Sequence, residues 1–423
     1  MIIKCDQPVE MSFSVLPPLF LPFYNVWGEN AYYRYGPFSY NPFNIYCSST
    51  SGSPVILTGN GFFGFLNEAG GEFSYDGKGI LTVKCEKGQE FYYDENCNPY
   101  EEWQKYNEIV LSGFEKTKTE EFWSEIEYCT WVDQKRFAKQ QGKSSMQACL
   151  NEAFVYDYMR RIDKIGLPKG KLTIDDGWDA LYTDQGQRVY GEWTINREKF
   201  PHMEKLVKDI AENGFIPGLW FAPFTFTTDC EIAKKHPELI GNIWRTTSET
   251  GNNWTFIKPS PVLEEYYTDI FTYYISMGFR KLKLDISYGY KKDMKELLKM
   301  IYQIVKKIDP SVEVEAHIPD IFVSRYCDTV RINDVCFDDG GKWRGVTMEH
   351  YKVCKYSSPH KILNLDHLGT NTPLPKKEDF MEHTKMLLRL KGGYPCVSLL
   401  PDLFDENTIK EFTDRVHDWR LQM

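Results

Sequence analysis

Lys281-Leu-Lys-Leu-Asp285 alternates strictly, so Lys281, Lys283 and Asp285 share one side of a strand and Leu282 and Leu284 the other. The charged side fits the interior of a closed barrel, with the leucines turned toward a layer of helices. A carboxylate at the carboxyl end of such a strand stands where α/β barrels collect their chemistry. Two other strand-like runs end the same way: Lys171-Leu-Thr-Ile precedes Asp175 and Asp176, and Thr329-Val-Arg-Ile-Asn precedes Asp334. A surface edge strand with a salt bridge is the plainer reading of 281–285, so the neighbouring segments have to decide.

They favour the barrel. From about residue 120 onward, strand-like runs alternate with amphipathic helices, the pattern of β/α units and a parallel sheet. Eight candidate strands fall at 126–131, 171–176, 215–222, 280–286, 312–317, 329–334, 361–366 and 394–399. Between them, Met203, Leu206, Val207 and Ile210 form one helical stripe, and Met294, Leu297, Leu298, Ile301 and Ile304 another. Ile270, Phe271, Tyr274 and Ile275 give a third, and Pro201 is read as a helix start. Eight strands over roughly 275 residues match the size of a (β/α)8 TIM barrel. An open doubly wound sheet is the runner-up, but no Gly-x-Gly-x-x-Gly follows any strand.

Upstream, Gly, Pro, Asn, Ser and Tyr punctuate short alternating runs such as Ser53–Thr58 and Gly79–Lys84, which reads as antiparallel β structure. The expected fold class is therefore α/β, a barrel over residues 119–423 preceded by a small β-rich N-terminal domain over residues 1–118.

Hydrophobic residues make up 42% of the 423, enough for a large core, so disorder is excluded. The 11 Trp, 27 Tyr and 27 Phe exceed what a core needs and leave candidates for stacking on apolar faces of a ligand, although most aromatics simply pack. A net charge of −10 argues against nucleic acid and against anionic membrane surfaces. No signal peptide and no membrane span are read, since no apolar stretch approaches about 18 residues. Eleven scattered cysteines without a Cys-x-x-Cys suit free thiols and a cytoplasmic location. No cofactor is expected. A metal is not expected either, since the sequence has no His-x-x-x-His or paired-cysteine spacing.

The chemistry gathers at strand ends. Asp175-Asp-Gly-Trp178 offers two carboxylates that could accept bidentate hydrogen bonds from vicinal hydroxyls, a glycine for a sharp turn, and an indole to cover an apolar face. A solvated Asp-Gly turn would look the same. Trp220 in Gly218-Leu-Trp-Phe-Ala-Pro223 ends the third strand, as a platform or as an interior layer residue. Lys283, two positions before Asp285 on the same face, would keep that carboxylate ionised, which suits a nucleophile. Arg331-Ile-Asn-Asp334 could hold a general acid beside an Arg-anchored substrate, or Asn333 or Asp334 could cap a helix. His317 and the run Asn364-Leu-Asp366-His367 end two further strands. Carboxylates from separate strands meeting in one pocket are the minimum equipment for hydrolysing a glycosidic bond.

The order of these motifs resembles the melibiase-type α-galactosidases of glycoside hydrolase family 36 and its clan relatives in families 27 and 31. Those enzymes carry a strand ending Asp-Asp-Gly-Trp, then Gly-Asp-Trp, Lys-Phe-Pro, Gly-Leu-Trp, a Lys-x-Asp nucleophile strand and an Arg-x-x-x-Asp segment. Here the matching stretches are Asp175-Asp-Gly-Trp178, Gly191-Glu-Trp193, Lys199-Phe-Pro201, Gly218-Leu-Trp220, Lys283-Leu-Asp285 and Arg331-Ile-Asn-Asp-Val335. Glu127-Tyr-Cys-Thr-Trp131 also looks like the Cys-Thr-Trp strand of raffinose synthase-like relatives, and Gly392-Gly393 with Val397-Ser398 like the last barrel segment. Glu192 departs from the usual Asp, His317 stands where many members have Cys, and the chain stops soon after the barrel.

The resemblance implies Asp285 as nucleophile and Asp334, kept protonated, as general acid/base. It implies Asp175 and Asp176 on sugar hydroxyls, with Trp131, Trp178, Trp220, Lys283, Arg331 and His317 shaping the pocket. The expectation is a retaining α-galactosidase whose partner is a small oligosaccharide or glycoside, with room for a homo-oligomer. On the same barrel, an α-N-acetylgalactosaminidase, a galactosyl transglycosidase or a catalytically silent carbohydrate-binding protein remain alternatives. A metal-dependent isomerase would need His and Glu ligands at several strand ends.

Overall fold

Eight parallel strands close on themselves in the computed structural model, which describes all residues except 21–36, 41–53, 69, 116–117, 144, 180, 183–187, 247–252, 288–290, 333, 338–339 and 423. We number the barrel strands β1 (Glu127–Cys129), β2 (Lys171–Ile174), β3 (Ile216–Phe221), β4 (Lys281–Leu284), β5 (Glu313–Ala316), β6 (Thr329–Arg331), β7 (Ile362–His367) and β8 (Gly393–Val397). β8 pairs back onto β1, so no barrel edge is left open. Each strand falls on one of the eight candidate runs. The fold is a TIM barrel with separate antiparallel sheets before it.

The alternation read from 281–285 holds around the barrel. Glu127, Lys171, Thr173, Lys281, Glu313, Glu315, Thr329 and Asn364 hydrogen-bond to one another across the interior. Tyr128, Leu172, Ile174, Leu219, Leu282, Leu284, Val314, Val330 and Leu363 belong instead to the apolar layer under the helices. Register sets the levels: Lys283 pairs with Trp220 and Glu315, and Arg331 with Asn364. Gly218 is required where β3 passes β2, because a Cβ there would come within 2.6 Å of the Thr173 hydroxyl.

The helices form where the stripes predict. Met203, Leu206, Val207 and Ile210 are buried along helix Met203–Glu212, each such side chain contributing about 1.5–3 kcal/mol of burial. Helix Pro261–Met277 starts on the Ser260 cap, whose side chain accepts from the Leu263 N–H, with Pro261 at the first position, and it stops at left-handed Gly278. The helix expected from Pro201 begins instead at Met203, because His202 has non-helical backbone and stands at the N-cap position.

Upstream, strands Ile2–Lys4, Glu90–Asp94, Phe62–Phe65, Val55–Thr58 and Pro18–Phe20 form one antiparallel sheet. Val9–Ser14, Ile80–Cys85, Gly71–Asp76 and Pro37–Tyr40 form a second. Phe13, Phe63, Phe65, Phe73 and Phe91 fill the core they share. The expected run Ser53–Thr58 is a strand from Val55, Ser53 lying outside the described residues. Helix Pro99–Leu111 joins the first sheet to the barrel. Tyr106 donates to the Phe65 carbonyl at 2.5 Å, and Asn107 donates to the Tyr356 carbonyl at 2.8 Å on helix Trp343–Ser357. No described helix is long and apolar enough to cross a membrane.

Candidate active site

The carboxyl ends of β2 to β7 bring five aspartates and two cations together. Asp175 follows β2; its carboxylate accepts from Lys283 Nζ at 2.6 Å and from the Cys129 thiol at 3.0 Å. Burial pushes Asp175 upward in pKa, opposed by the Lys283 ammonium and the two hydrogen bonds. Asp176 accepts from Gln147 at 2.8 Å and from the Tyr190 hydroxyl at 3.1 Å. The chain then turns at Gly177, whose φ of +119° suits glycine. Lys199 of the Lys-Phe-Pro motif donates to the carbonyls of Gly177 at 2.6 Å and Gln147 at 2.5 Å, clamping that turn. Gln147 and Tyr190 carry no motif that would mark them in the sequence; Cys129 is reached by period-2 alternation from Glu127.

Asp285 leaves β4 into a strained backbone: Ile286 next to it has φ +51°, uncommon for a β-branched residue and of the kind that collects at functional sites. Its Oδ1 accepts the Ile286 N–H at 2.8 Å and lies 3.5 Å from Arg331 Nη2, while its Oδ2 accepts from the Trp220 indole at 3.1 Å. His317 Nδ1 stands 3.7 Å from Oδ1 and 3.2 Å from Arg331 Nη2. Burial alone would raise the Asp285 pKa. Arg331, His317 and Lys283 outweigh it, and the carboxyl is held well below its usual range. His317 is kept neutral by burial and by Arg331.

Arg331 Nη1 donates to Asp334 Oδ1 at 2.6 Å and to Asp366 Oδ1 at 3.0 Å. His367 Nε2 lies 3.2 Å from Asp366 and 3.8 Å from Asp334. Asp334, Asp366 and His367 bring ligand-type atoms within 4.8 Å of one another, and the cation their carboxylates meet is the guanidinium of Arg331. Asp285 and Asp334 open toward the barrel mouth with side chains 19% and 29% exposed; Asp366 is 5% exposed and sits behind them.

Two expectations need correcting. Asp334 is not held protonated: burial raises its pKa, but the Arg331 guanidinium more than offsets this and leaves it well below the usual carboxylate range. The raised carboxyl is Asp366, pushed up to about 7 by burial and by the Asp334 charge, with Arg331 opposing. Trp178 is not a pocket wall either. It is fully buried, donates its indole N–H to the Trp220 carbonyl at 2.8 Å, and packs edge-on against Phe221 and Tyr274. After the left-handed turn at Gly177 the indole lies in the apolar layer, where it supports Trp220 from behind.

Trp131 heads helix Trp131–Gln141, half-buried. Glu192, the departure from Gly-Asp-Trp, accepts the Glu231 N–H at the start of a short helix. Asn333 lies outside the described residues. Asp334 follows Arg331 by three positions, one fewer than in an Arg-x-x-x-Asp segment, and Val335 stands at the fourth.

A closed barrel with carboxylates converging at its strand ends defines the class. Residues 126–318 match the family model described as Melibiase. That stretch resembles the Melibiase domain. Alpha-galactosidase AgaA of Geobacillus stearothermophilus is 25% identical over 149 residues, 35% of this chain and 20% of that protein. Alpha-galactosidase Mel36A of Lactobacillus acidophilus is 27% identical over 94 residues, 22% of this chain and 12% of that protein. The chain thus matches at most a fifth of the length of these relatives. Among solved structures, the α-galactosidase TtGalA of Thermus thermophilus, in complex with p-nitrophenyl α-D-galactopyranoside, superposes with a TM-score of 0.71 at 15% identity, covering 98% of this chain and 89% of that one. A variant of AgaA in complex with raffinose gives 0.65 at 12% identity, covering 98% and 62%. At these identities the structures establish the fold. The Melibiase match contains Asp175, Asp176 and Asp285 and ends before Asp334 and Asp366.

Proposed function

We propose that this chain is a retaining glycoside hydrolase that removes terminal α-galactosyl groups by double displacement. The observation that carries the reading is the setting of Asp285: an ionised carboxylate at a strand end, with Arg331 on one oxygen and the Trp220 indole on the other. In this reading Asp285 attacks the anomeric carbon while Asp334 delivers a proton to the leaving oxygen. Asp334 then takes a proton from the water that releases the sugar, so the anomeric configuration is retained. Lys283, Asp175 and Asp176 hold sugar hydroxyls, and Trp220 borders the glycone. The galactoside preference rests on the resemblance to the Melibiase domain and on relatives that are themselves α-galactosidases, one of them solved with stachyose.

The test uses an aryl α-galactoside. Asp285→Ala should abolish turnover, and added azide should restore it with formation of β-galactosyl azide. Turnover near wild type in the variant, or azide product of the α configuration, would remove Asp285 from the role.

A second reading has its own observation. Asp334 is one position short of the Arg-x-x-x-Asp spacing and is ionised against Arg331, which favours a barrel that binds galactosides without cleaving them. Calorimetry showing binding of an intact galactoside that survives prolonged incubation would select this alternative.

A further inference from the structure

Between Asp334 and the strand behind it lies a pair that the proposed mechanism has not used. Asp366 and His367 end β7, and Asp366 takes a left-handed φ of +62° that turns its carboxylate onto Arg331. Arg331 Nη1 is therefore shared by two aspartates on neighbouring elements. One atom of His367, Nε2, faces both of them, at 3.2 Å and 3.8 Å. Neither ring nitrogen of His367 completes a hydrogen bond with a described residue, an uncommon state for a buried imidazole.

We propose that Asp366, through His367, is the proton reservoir that loads Asp334 for each turnover. The proposal rests on the reading of Asp334 as acid/base and supplies what that reading lacks, a source for the proton of a carboxylate that Arg331 holds ionised. The transfer balances without a co-reactant. The Asp366 O–H gives its proton to Nε2 of neutral His367, and the resulting imidazolium passes the Nε2 proton to Asp334. Asp366 is left as carboxylate on Arg331, His367 returns to neutral, and the net charge of the site is unchanged. When Asp334 later takes a proton from water, the reverse path refills Asp366. The deep burial of Asp366 keeps it from substrate, so it and His367 are positioning residues for Asp334.

The groups facing this path come from three barrel strands and one helix. They are Arg331 and Asp334 from β6 and the loop after it, His317 from β5, Lys283 and Asp285 from β4, and Lys135 from helix Trp131–Gln141. Burial and the cations hold His367 neutral at rest, as a relay requires, and burial with Asp334 holds the proton on Asp366.

The experiment compares two α-galactosides: p-nitrophenyl, whose leaving group needs little protonation, and methyl, whose leaving group needs it fully. General acid assistance is worth roughly 10²–10⁴-fold. Asp366→Asn should lower kcat/KM for the methyl glycoside by on the order of 10²-fold at pH 7, and move the alkaline limb of its pH profile downward. Turnover of the p-nitrophenyl glycoside should change far less. His367→Gln should act in the same direction. An unchanged alkaline limb, or equal losses on both substrates, overturns the reservoir.

Wild-type protein carrying ¹³Cγ-aspartate provides a readout independent of how the variants fold. One carboxyl should titrate near neutrality. No carboxyl titrating above pH about 5 overturns the proposal. Failure of the wider reading looks different: Asp334→Asn then turns over methyl galactoside as well as wild type, or the wild type turns over neither substrate.

Discussion

The barrel interior holds two charged layers built from the same strands, and they differ in how their charges are met. In the lower layer two lysines, Lys171 and Lys281, meet three glutamates, all with side chains 0–1% exposed. Lys281 touches Glu127 at 2.5 Å and Glu315 at 2.6 Å, and Tyr394 and Asn364 bond to the same carboxylates. In the upper layer two cations, Lys283 and Arg331, meet four aspartates, and Asp285 and Asp334 open to solvent. The lower layer is closed and fills the barrel. The upper layer carries surplus negative charge, an unusual φ at Ile286 and Asp366, and a carboxyl that titrates far from its ordinary range. Separating floor from site in this way lets one run of alternating residues serve packing at one end and chemistry at the other.

The comparison predicts that the layers respond oppositely to substitution. Asp285→Ala should remove activity by on the order of 10⁴-fold, with a smaller effect on stability, since Asp285 is partly open to solvent and Arg331 keeps Asp334 and Asp366 as partners. Lys281→Met should do the reverse. Stranding Glu127 and Glu315 in a dry interior should cost about 3–5 kcal/mol in urea unfolding, with activity per folded molecule preserved. A loss below about 1 kcal/mol would mean that the floor is not held by its ion pairs.

The pH dependence of stability sharpens the contrast. Glu315 is held down to about 2: burial opposes this, but Lys281, Lys283, Arg331 and Asn364 prevail. Its contribution is therefore present above its unfolded value of 4.5 and fades as pH falls toward 2. Asp366, pushed up to about 7, works the other way. Its protonation stabilises the fold below the unfolded value of 3.8, and that contribution is lost as pH rises through 7. Urea unfolding between pH 4 and 8 should show wild type losing stability relative to Asp366→Asn as pH rises; parallel curves would contradict the assignment. The smallest effect belongs to Trp178→Phe. Losing the hydrogen bond to the Trp220 carbonyl should cost about 1 kcal/mol with little change in kcat, whereas a large rise in KM would return Trp178 to the pocket.

Much of this is legible in the sequence. The eight strands show because strand-like runs recur between amphipathic helical segments, several of them ending on carboxylates, and the helices show because their apolar stripes are regular. Period 2 puts Lys281, Lys283 and Asp285 on one side of a strand, and the surrounding β/α pattern makes that side the interior. The glutamates that meet Lys281 were not read, because Glu127 lies 154 residues away and only barrel closure joins them. Asp366 and His367 were visible as a strand end but not as partners of Arg331, since that contact depends on the register of β6 against β7 and on a left-handed backbone at Asp366. The burial of Trp178 is not legible, because a motif fixes which residues follow a turn and leaves open which way the last one points.

The central claim is that Asp285 forms the covalent bond to the sugar. Incubation with an activated 2-deoxy-2-fluoro-α-galactoside, followed by proteolysis and mass spectrometry, tests it directly. The account predicts one galactosyl equivalent per chain on the peptide containing Lys283-Leu-Asp285, released by adding an acceptor and absent in Asp285→Ala. Label on another residue, or hydrolysis of the substrate with inversion and no label, would contradict it.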